Sequence, residues 1–185
     1  RRPPISTLDG TLFSLHDALP ILGGLGPVFK ISPDLKLLDL YVHREEDPHS
    51  LPDDGVTDFA EDETGKLWIS TDNGLARLDE QTKRFDVFTA RHGLPNSDIA
   101  GLRLTGDTLW ISTSNGVAVT DIRQLRFIPF DEADGLPMTE FESGSSERDS
   151  KGRLYFGAMR GLVYIQPGRV RINRFVPPVY LTSFK

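Results

Sequence analysis

The sequence predicts an all-β fold, a partial β-propeller of about three four-stranded blades with a remnant of a preceding blade. Three observations predict it. An eight-residue segment recurs in register at 67–74, 109–116 and 154–161, with steps of 42 and 45 residues. A second marker, Gly93-Leu94-Pro95 and Gly135-Leu136-Pro137, repeats at the same 42-residue step, and Ser50-Leu51-Pro52 reads as an earlier, weaker copy. Each unit also carries strand chemistry. Repeats of this length fit either propeller blades or helix pairs. A helix pair needs apolar residues at i, i+3, i+4 and i+7 over ten or more positions, and no segment of this chain has them.

The elements follow in order within each unit. The core strand is Leu67-Trp68-Ile69, Leu109-Trp110-Ile111 or Leu154-Tyr155-Phe156, short and apolar with an aromatic at its centre, and in the first two copies a β-branched isoleucine, as suits a buried strand. It runs into Asn73-Gly74 or Asn115-Gly116, a tight hairpin whose central residues need positive φ; the third copy keeps only Gly161. The return strands are Leu75-Ala76-Arg77-Leu78, Val117-Ala118-Val119-Thr120 and Leu162-Val163-Tyr164-Ile165. Outer strands follow at Phe85-Asp86-Val87-Phe88 and Phe127-Ile128-Pro129-Phe130, where Pro129 marks an edge because proline donates nothing to a central ladder. The innermost strands precede the core: Val56-Thr57-Asp58-Phe59-Ala60 ahead of the turn Asp62-Glu63-Thr64-Gly65, and residues 99–104 ahead of Thr105-Gly106-Asp107. Asp149-Ser150-Lys151-Gly152 marks the same turn in the third unit. Four strands per repeat make one blade.

The chain ends differ from the repeats. Val28-Phe29-Lys30-Ile31 and Leu37-Leu38-Asp39-Leu40-Tyr41 read as the last two strands of a preceding blade. Residues 1–22 fit no blade position; they read as an irregular linker or as a segment that resembles translated sequencing-adapter peptides. The propeller is assigned to 23–167. Residues 168–185 form an exit segment, in which Pro177-Pro178 leads into a new apolar strand.

Composition narrows the function classes. The 185 residues hold 21 Lys and Arg against 27 Asp and Glu, a formal charge of −6, and no Lys/Arg run exceeds two residues. That disfavours a nucleic-acid partner and an anionic membrane surface, both of which need concentrated cations. The absence of cysteine excludes disulfides, thiol catalysis and thiolate metal sites. No stretch reaches the roughly 18 apolar residues that span a bilayer, and Arg1-Arg2-Pro3-Pro4 opens no signal peptide.

The repeat resembles the two-component regulator propeller family. That family's core D-x-x-G-x-L-W-I-G-T matches residues 62–71, its N-G-L turn matches Asn73-Gly74-Leu75, and its G-L-P-x-N junction matches Gly93-Leu94-Pro95-Asn96. The departures are Ser70 and Ser112 in place of the strand glycine, and a second turn, 105–108, read as one residue longer. Residues 152–167 resemble the closing blade, and Pro177-Pro178-Val179-Tyr180-Leu181-Thr182 resembles the start of the three-tyrosine domain that follows it. The resemblance implies the extracytoplasmic, periplasmic sensor region of a membrane-anchored, dimeric receptor, whose output end is a histidine kinase, a hybrid two-component protein or a diguanylate cyclase. It implies a small extracellular ligand, an oligosaccharide being the leading class, with no catalysis and no cofactor.

Little else in the chain suggests chemistry. Trp68, Trp110 and Tyr155 share one register, which points to packing between blades rather than sugar stacking. The acids at 53–54 and 61–63 lack a calcium-loop pattern and read as solvated turns. His43 and His49 fall in a polar loop, His92 stands where Asp134 stands in the next junction, and no H-x-x-x-H pair occurs, so no metal site is expected. Ser143-Gly144-Ser145-Ser146 reads as a flexible turn. Propeller ligands bind at one end of the central channel. By position, the candidate ligand contacts are Asp58, Arg103, Glu140 and Glu142, with no catalytic residue. The competing readings are a propeller-type lyase or hydrolase and a protein-interaction scaffold.

Overall fold

A computed structural model of the chain describes residues 21–170. It holds four antiparallel sheets, each joining strands in chain order. The remnant blade comprises β1 (Ile21–Leu22), β2 (Val28–Ile31) and β3 (Leu37–Tyr41). The first full blade comprises β4 (Val56–Glu61), β5 (Leu67–Thr71), β6 (Gly74–Asp79) and β7 (Arg84–Phe88). The second comprises β8 (Ile99–Thr105), β9 (Thr108–Thr113), β10 (Gly116–Asp121) and β11 (Ile128–Phe130). The third comprises β12 (Phe141–Arg148), β13 (Leu154–Ala158) and β14 (Gly161–Ile165). Two expectations change. Ile21 and Leu22 pair with Lys30 and Phe29, so the remnant has three strands and begins before residue 23. The third blade has three strands among the described residues, not four. The adapter-like residues 1–20, His16 and the Pro-Pro exit lie outside the described residues.

The core is a series of seams between consecutive blades. Ile21, Val28 and Tyr41 of the remnant pack on Phe59, Leu67, Ile69 and Phe85 of the first blade. Ala60, Trp68 and Leu75 pack on Ile99, Leu102, Leu109 and Ile111 of the second. Trp110, Val117 and Val119 pack on Phe141, Leu154, Phe156 and Val163 of the third. This repetition explains the fixed aromatic register. Trp68 and Trp110 each project from a core strand into the next seam and are essentially fully buried. Tyr155 departs from the expectation: it is only partly buried, because no blade covers its face within the described residues. The same face exposes Leu162 and Tyr164, and the opposite end exposes Leu37, Leu38 and Leu40.

Turn chemistry holds each blade's shape. Asp62 Oδ1 accepts from the amides of Thr64 and Lys66, and Oδ2 accepts from Trp68 Nε1 at 3.0 Å. Burial works to raise the Asp62 carboxyl pKa, but the Thr64 and Trp68 hydrogen bonds and the two amides outweigh it and hold the group below the usual carboxylate value. Asp149 repeats the arrangement with the Lys151 and Arg153 amides and the Tyr155 hydroxyl. The second blade has no such acid; Trp110 Nε1 donates instead to Thr105 Oγ1 at 3.1 Å. Its turn is one residue shorter, not longer, since Leu104↔Leu109 encloses four residues where Glu61↔Leu67 encloses five. At the other end, Thr71 and Thr113 hydroxyls donate to the Gly74 and Gly116 carbonyl oxygens at 2.9 Å and fasten both Asn-Gly turns. The junctions use an equivalent device. His92 Nδ1 accepts from the Thr89 amide as Asp134 accepts from the Asp131 amide, so His92 replaces an acid by supplying the same acceptor. Among the described residues no helix is long and apolar enough to cross a membrane.

Candidate functional site

The innermost strands β4, β8 and β12 converge, with β4 contacting β12 past the intervening blade. Each carries a bulge near its start. Thr57 stands unpaired between Val56↔Thr71 and Asp58↔Ser70. Ala100 stands unpaired between Ile99↔Thr113 and Gly101↔Ser112. In β12 four residues, Glu142-Ser143-Gly144-Ser145, face the single residue Gly157. This segment, expected to be a flexible turn, is therefore a strand bulge, with Gly144 at φ +69°. The wider bulge and the full-length turn together account for the longer second step of the repeat.

Two of the four sequence candidates meet. Asp58 on β4 is buried, and its Oδ2 accepts from Arg103 Nη1 at 2.7 Å, from the Leu102 amide at 3.0 Å and from Ser146 Oγ at 3.0 Å. Its Oδ1 accepts from the Phe59 amide at 2.8 Å. Arg103 also donates to the carbonyl oxygens of Leu102 and Ser146. One ion pair, with the Ser146 hydrogen bonds, thus joins the inner strands of three consecutive blades. Gly101 makes the convergence sterically feasible: a Cβ there would come within 2.5 Å of Ser146 Oγ and 3.4 Å of Asp58 Oδ2. The acceptor capacity of Asp58 is used inside this clasp. The Arg103 side chain keeps 21% of its surface exposed.

The other two candidates stand apart from the clasp. Glu142 is exposed within the β12 bulge. Glu140 lies just ahead of β12 and lines a shallow cleft of about 220 Å³ with Met138, Met159 and Arg160. Glu140, Glu142 and Arg160 make no ion pair among the described residues. Neither Ser146 nor Gly101 was legible along the chain, because their roles depend on contacts 43 to 88 residues away. The bulges escaped for the same reason. Of the histidines, His43 Nδ1 lies 2.6 Å from the Leu51 carbonyl oxygen and His49 Nδ1 lies 3.1 Å from that of Phe85, so both are engaged in fixing a junction.

These features define a class: consecutive propeller blades whose inner strands are cross-linked by buried polar contacts. Comparison with known proteins agrees. Residues 50–73, running from the Ser50-Leu51-Pro52 junction to the first hairpin, match the family model of the two component regulator propeller. A search of curated proteins gave no match. The chain is similar to the extracellular domain of a hybrid two component system from B. thetaiotaomicron, at 24% identity and a TM-score of 0.71, over 84% of this chain and 21% of that one. It is similar to the extracellular domain of a one component system from the same organism, at 21% identity and a TM-score of 0.67, over 89% of this chain and 25% of that one. Virginiamycin B lyase from Staphylococcus aureus aligns at 14% identity with a TM-score of 0.55, over 86% of this chain and 56% of the lyase. At these identities the likeness establishes the propeller fold. The chain spans about a quarter or less of the two extracellular domains.

Proposed function

We propose that this chain is part of an extracytoplasmic sensing propeller of a bacterial membrane receptor, and that it contributes to binding a small extracellular ligand without transforming it. The observation that carries the reading is the family-type repeat at 50–73, continued in register through two further blades. The fold shared with two extracellular receptor domains supports it. The ligand reaches the end of the channel where the inner strands begin, and Arg103, Glu140 and Glu142 are the side chains offered to it there. An oligosaccharide is the ligand class tested first. Binding shifts the balance between two arrangements of a receptor dimer, which requires different affinities for the two.

The test uses the complete extracytoplasmic region. Its melting temperature is followed against an oligosaccharide panel, and each mixture is analysed for products. Ligand at 100 times its Kd stabilises by about 2.7 kcal/mol. A shift with the ligand recovered intact supports the sensor. The fold shared with virginiamycin B lyase favours one second reading, a propeller enzyme, and turnover of any panel member establishes it in place of the first.

A further inference from the structure

At the end of the third blade opposite Glu140 and Glu142 lies a cavity of about 440 Å³ whose charged lining is Arg148, Lys151, Arg153 and Arg169, with Gly152 and uncharged residues of the 105–106 turn and of 166–168 making the rest of its wall. No carboxylate lines it among the described residues, although the chain carries a net charge of −6. From this concentration of unopposed positive charge we propose a binding site for a sulfate or phosphate monoester, independent of the channel site.

Among the described residues three of the four cations have no anionic partner. Lys151 and Arg169 make no side-chain hydrogen bond or ion pair among the described residues. Arg148 donates only to the Leu104 carbonyl oxygen, at 3.1 Å. Arg153 alone is paired, through Nε to Asp149 at 2.6 Å, and among the described residues the two terminal nitrogens of its guanidinium make no hydrogen bond. Asp149 itself is occupied by its turn, accepting the Lys151 and Arg153 amides at 2.9 Å. Concentrated like charge of this kind repels itself unless an anion is present.

The fold does not demand these charges. The equivalent turn of the first blade, 61–66, has the same aspartate cap and the same left-handed glycine, φ +79° at Gly65 against +75° at Gly152. There Glu61 occupies the place of Arg148 and Glu63 that of Ser150. Thr64 stands where Lys151 does, and Lys66 where Arg153 does, so one backbone design carries a net acidic turn in one blade and a basic one in another, and the cations at 148 and 151 are not required by the turn. Guanidinium forks bind tetrahedral oxyanions in two-pronged fashion, and a lysine adds a mobile point charge. None of the three glycines that line the cavity, Gly106, Gly152 and Gly168, has an atom of a non-adjacent described residue within 4 Å of where a Cβ would stand, so a ligand can approach the backbone closely. Small-molecule sites run from roughly 300 Å³ upward. At about 440 Å³ the cavity accepts an oxyanion together with the ring or chain that carries it.

The test is calorimetric titration of the full chain with phenyl sulfate, phenyl phosphate, inorganic phosphate and acetate at one fixed ionic strength. The expected result is saturable binding of the two esters, weaker binding of inorganic phosphate, and none of acetate. The double variant Lys151→Glu, Arg169→Glu binds the esters roughly 100-fold more weakly, because two charge-assisted contacts become repulsions. Arg91→Glu, at the opposite end, leaves the affinity unchanged. Amide resonances of 151–153 shift on ester addition in the unsubstituted chain, which keeps the test independent of variant folding. Absent ester binding, acetate binding as tightly as the esters, inorganic phosphate matching them, or an unaffected double variant overturns the proposal.

Discussion

Replacing Asp58 with asparagine tests the idea that one ion pair staples three blades together. The side chain keeps its shape but loses its charge, and an amide group now faces donors. The Leu102 amide, the Ser146 hydroxyl and Arg103 Nη1 all converge on Oδ2 within 3.0 Å, and the Phe59 amide donates to Oδ1 at 2.8 Å, so one amide orientation turns an NH2 group towards the three donors and the other turns it towards the Phe59 N–H, while both remove the charge opposite Arg103. Removing one partner of a buried pair costs about 3–5 kcal/mol. The Arg103 side chain is 21% exposed and can turn partly towards solvent, which places the expected loss near the lower end, about 3 kcal/mol. At a slope of about 2 kcal/mol per molar urea, the midpoint falls by roughly 1.5 M. Intrinsic fluorescence of Trp68 and Trp110, one in each blade flanking the clasp, reports the transition. Arg103→Met alone loses about 2 kcal/mol, because it leaves the carboxylate buried without its counter-charge. The double variant removes both charges and recovers part of the sum, a coupling of at least about 1 kcal/mol. A midpoint shift below about 0.5 M for Asp58→Asn, or strictly additive losses in the double variant, would refute the clasp.

Gly116→Ala destabilises by about 2–3 kcal/mol in the same assay, because φ is +115° and the new methyl would sit 2.6 Å from the Phe130 carbonyl oxygen; a neutral result contradicts that packing. Asp149 adds a pH signature. Burial opposes its ionisation, but the Arg153 amide and guanidinium and the Lys151 amide hold its carboxyl at about 2 in the folded chain. A lowered folded pKa contributes stability that is complete above the unfolded carboxylate value and is lost as pH falls towards 2. Asp149→Asn therefore flattens the acid limb of the stability profile between about pH 4 and pH 2, and an unchanged slope there removes the assignment. The exposed faces at the two ends make the isolated chain self-associate: Leu162→Glu with Tyr164→Lys lowers the apparent mass in sedimentation, whereas a monodisperse unsubstituted monomer counts against it.

Several parts of this architecture were legible without coordinates. The strands Val28–Ile31 and Leu37–Tyr41 have the limits that their apolar runs suggest, and Ile128–Phe130 is an outermost strand as Pro129 requires. The tight hairpins fall where the sequence places them but one residue earlier in register: Thr71 pairs with Gly74 and Thr113 with Gly116, so the loops are Asp72-Asn73 and Ser114-Asn115, and the glycines open the return strands with positive φ. The candidate site was legible only in outline. Alternation and repeat phase located the innermost strands, so Asp58 and Arg103 could be named as neighbours of the channel. Nothing local indicated that they bind each other across 45 residues, or that Ser146 completes the group.

What the sequence determined by itself is the repeating unit: four-strand chemistry, tight turns, and an aromatic at one register of the core strand. These follow from short-range rules, in which side-chain alternation, positive-φ turns and missing proline donors act within a few residues. What only the tertiary structure decided is where one blade meets the next. The bulge opposite Gly157, the short turn at 105–108, the half-exposed Tyr155 and the cationic cavity beside Arg169 all depend on neighbours brought together by packing. Register between blades is set by steric fit and long-range hydrogen bonds, and neither leaves a periodic trace along the chain.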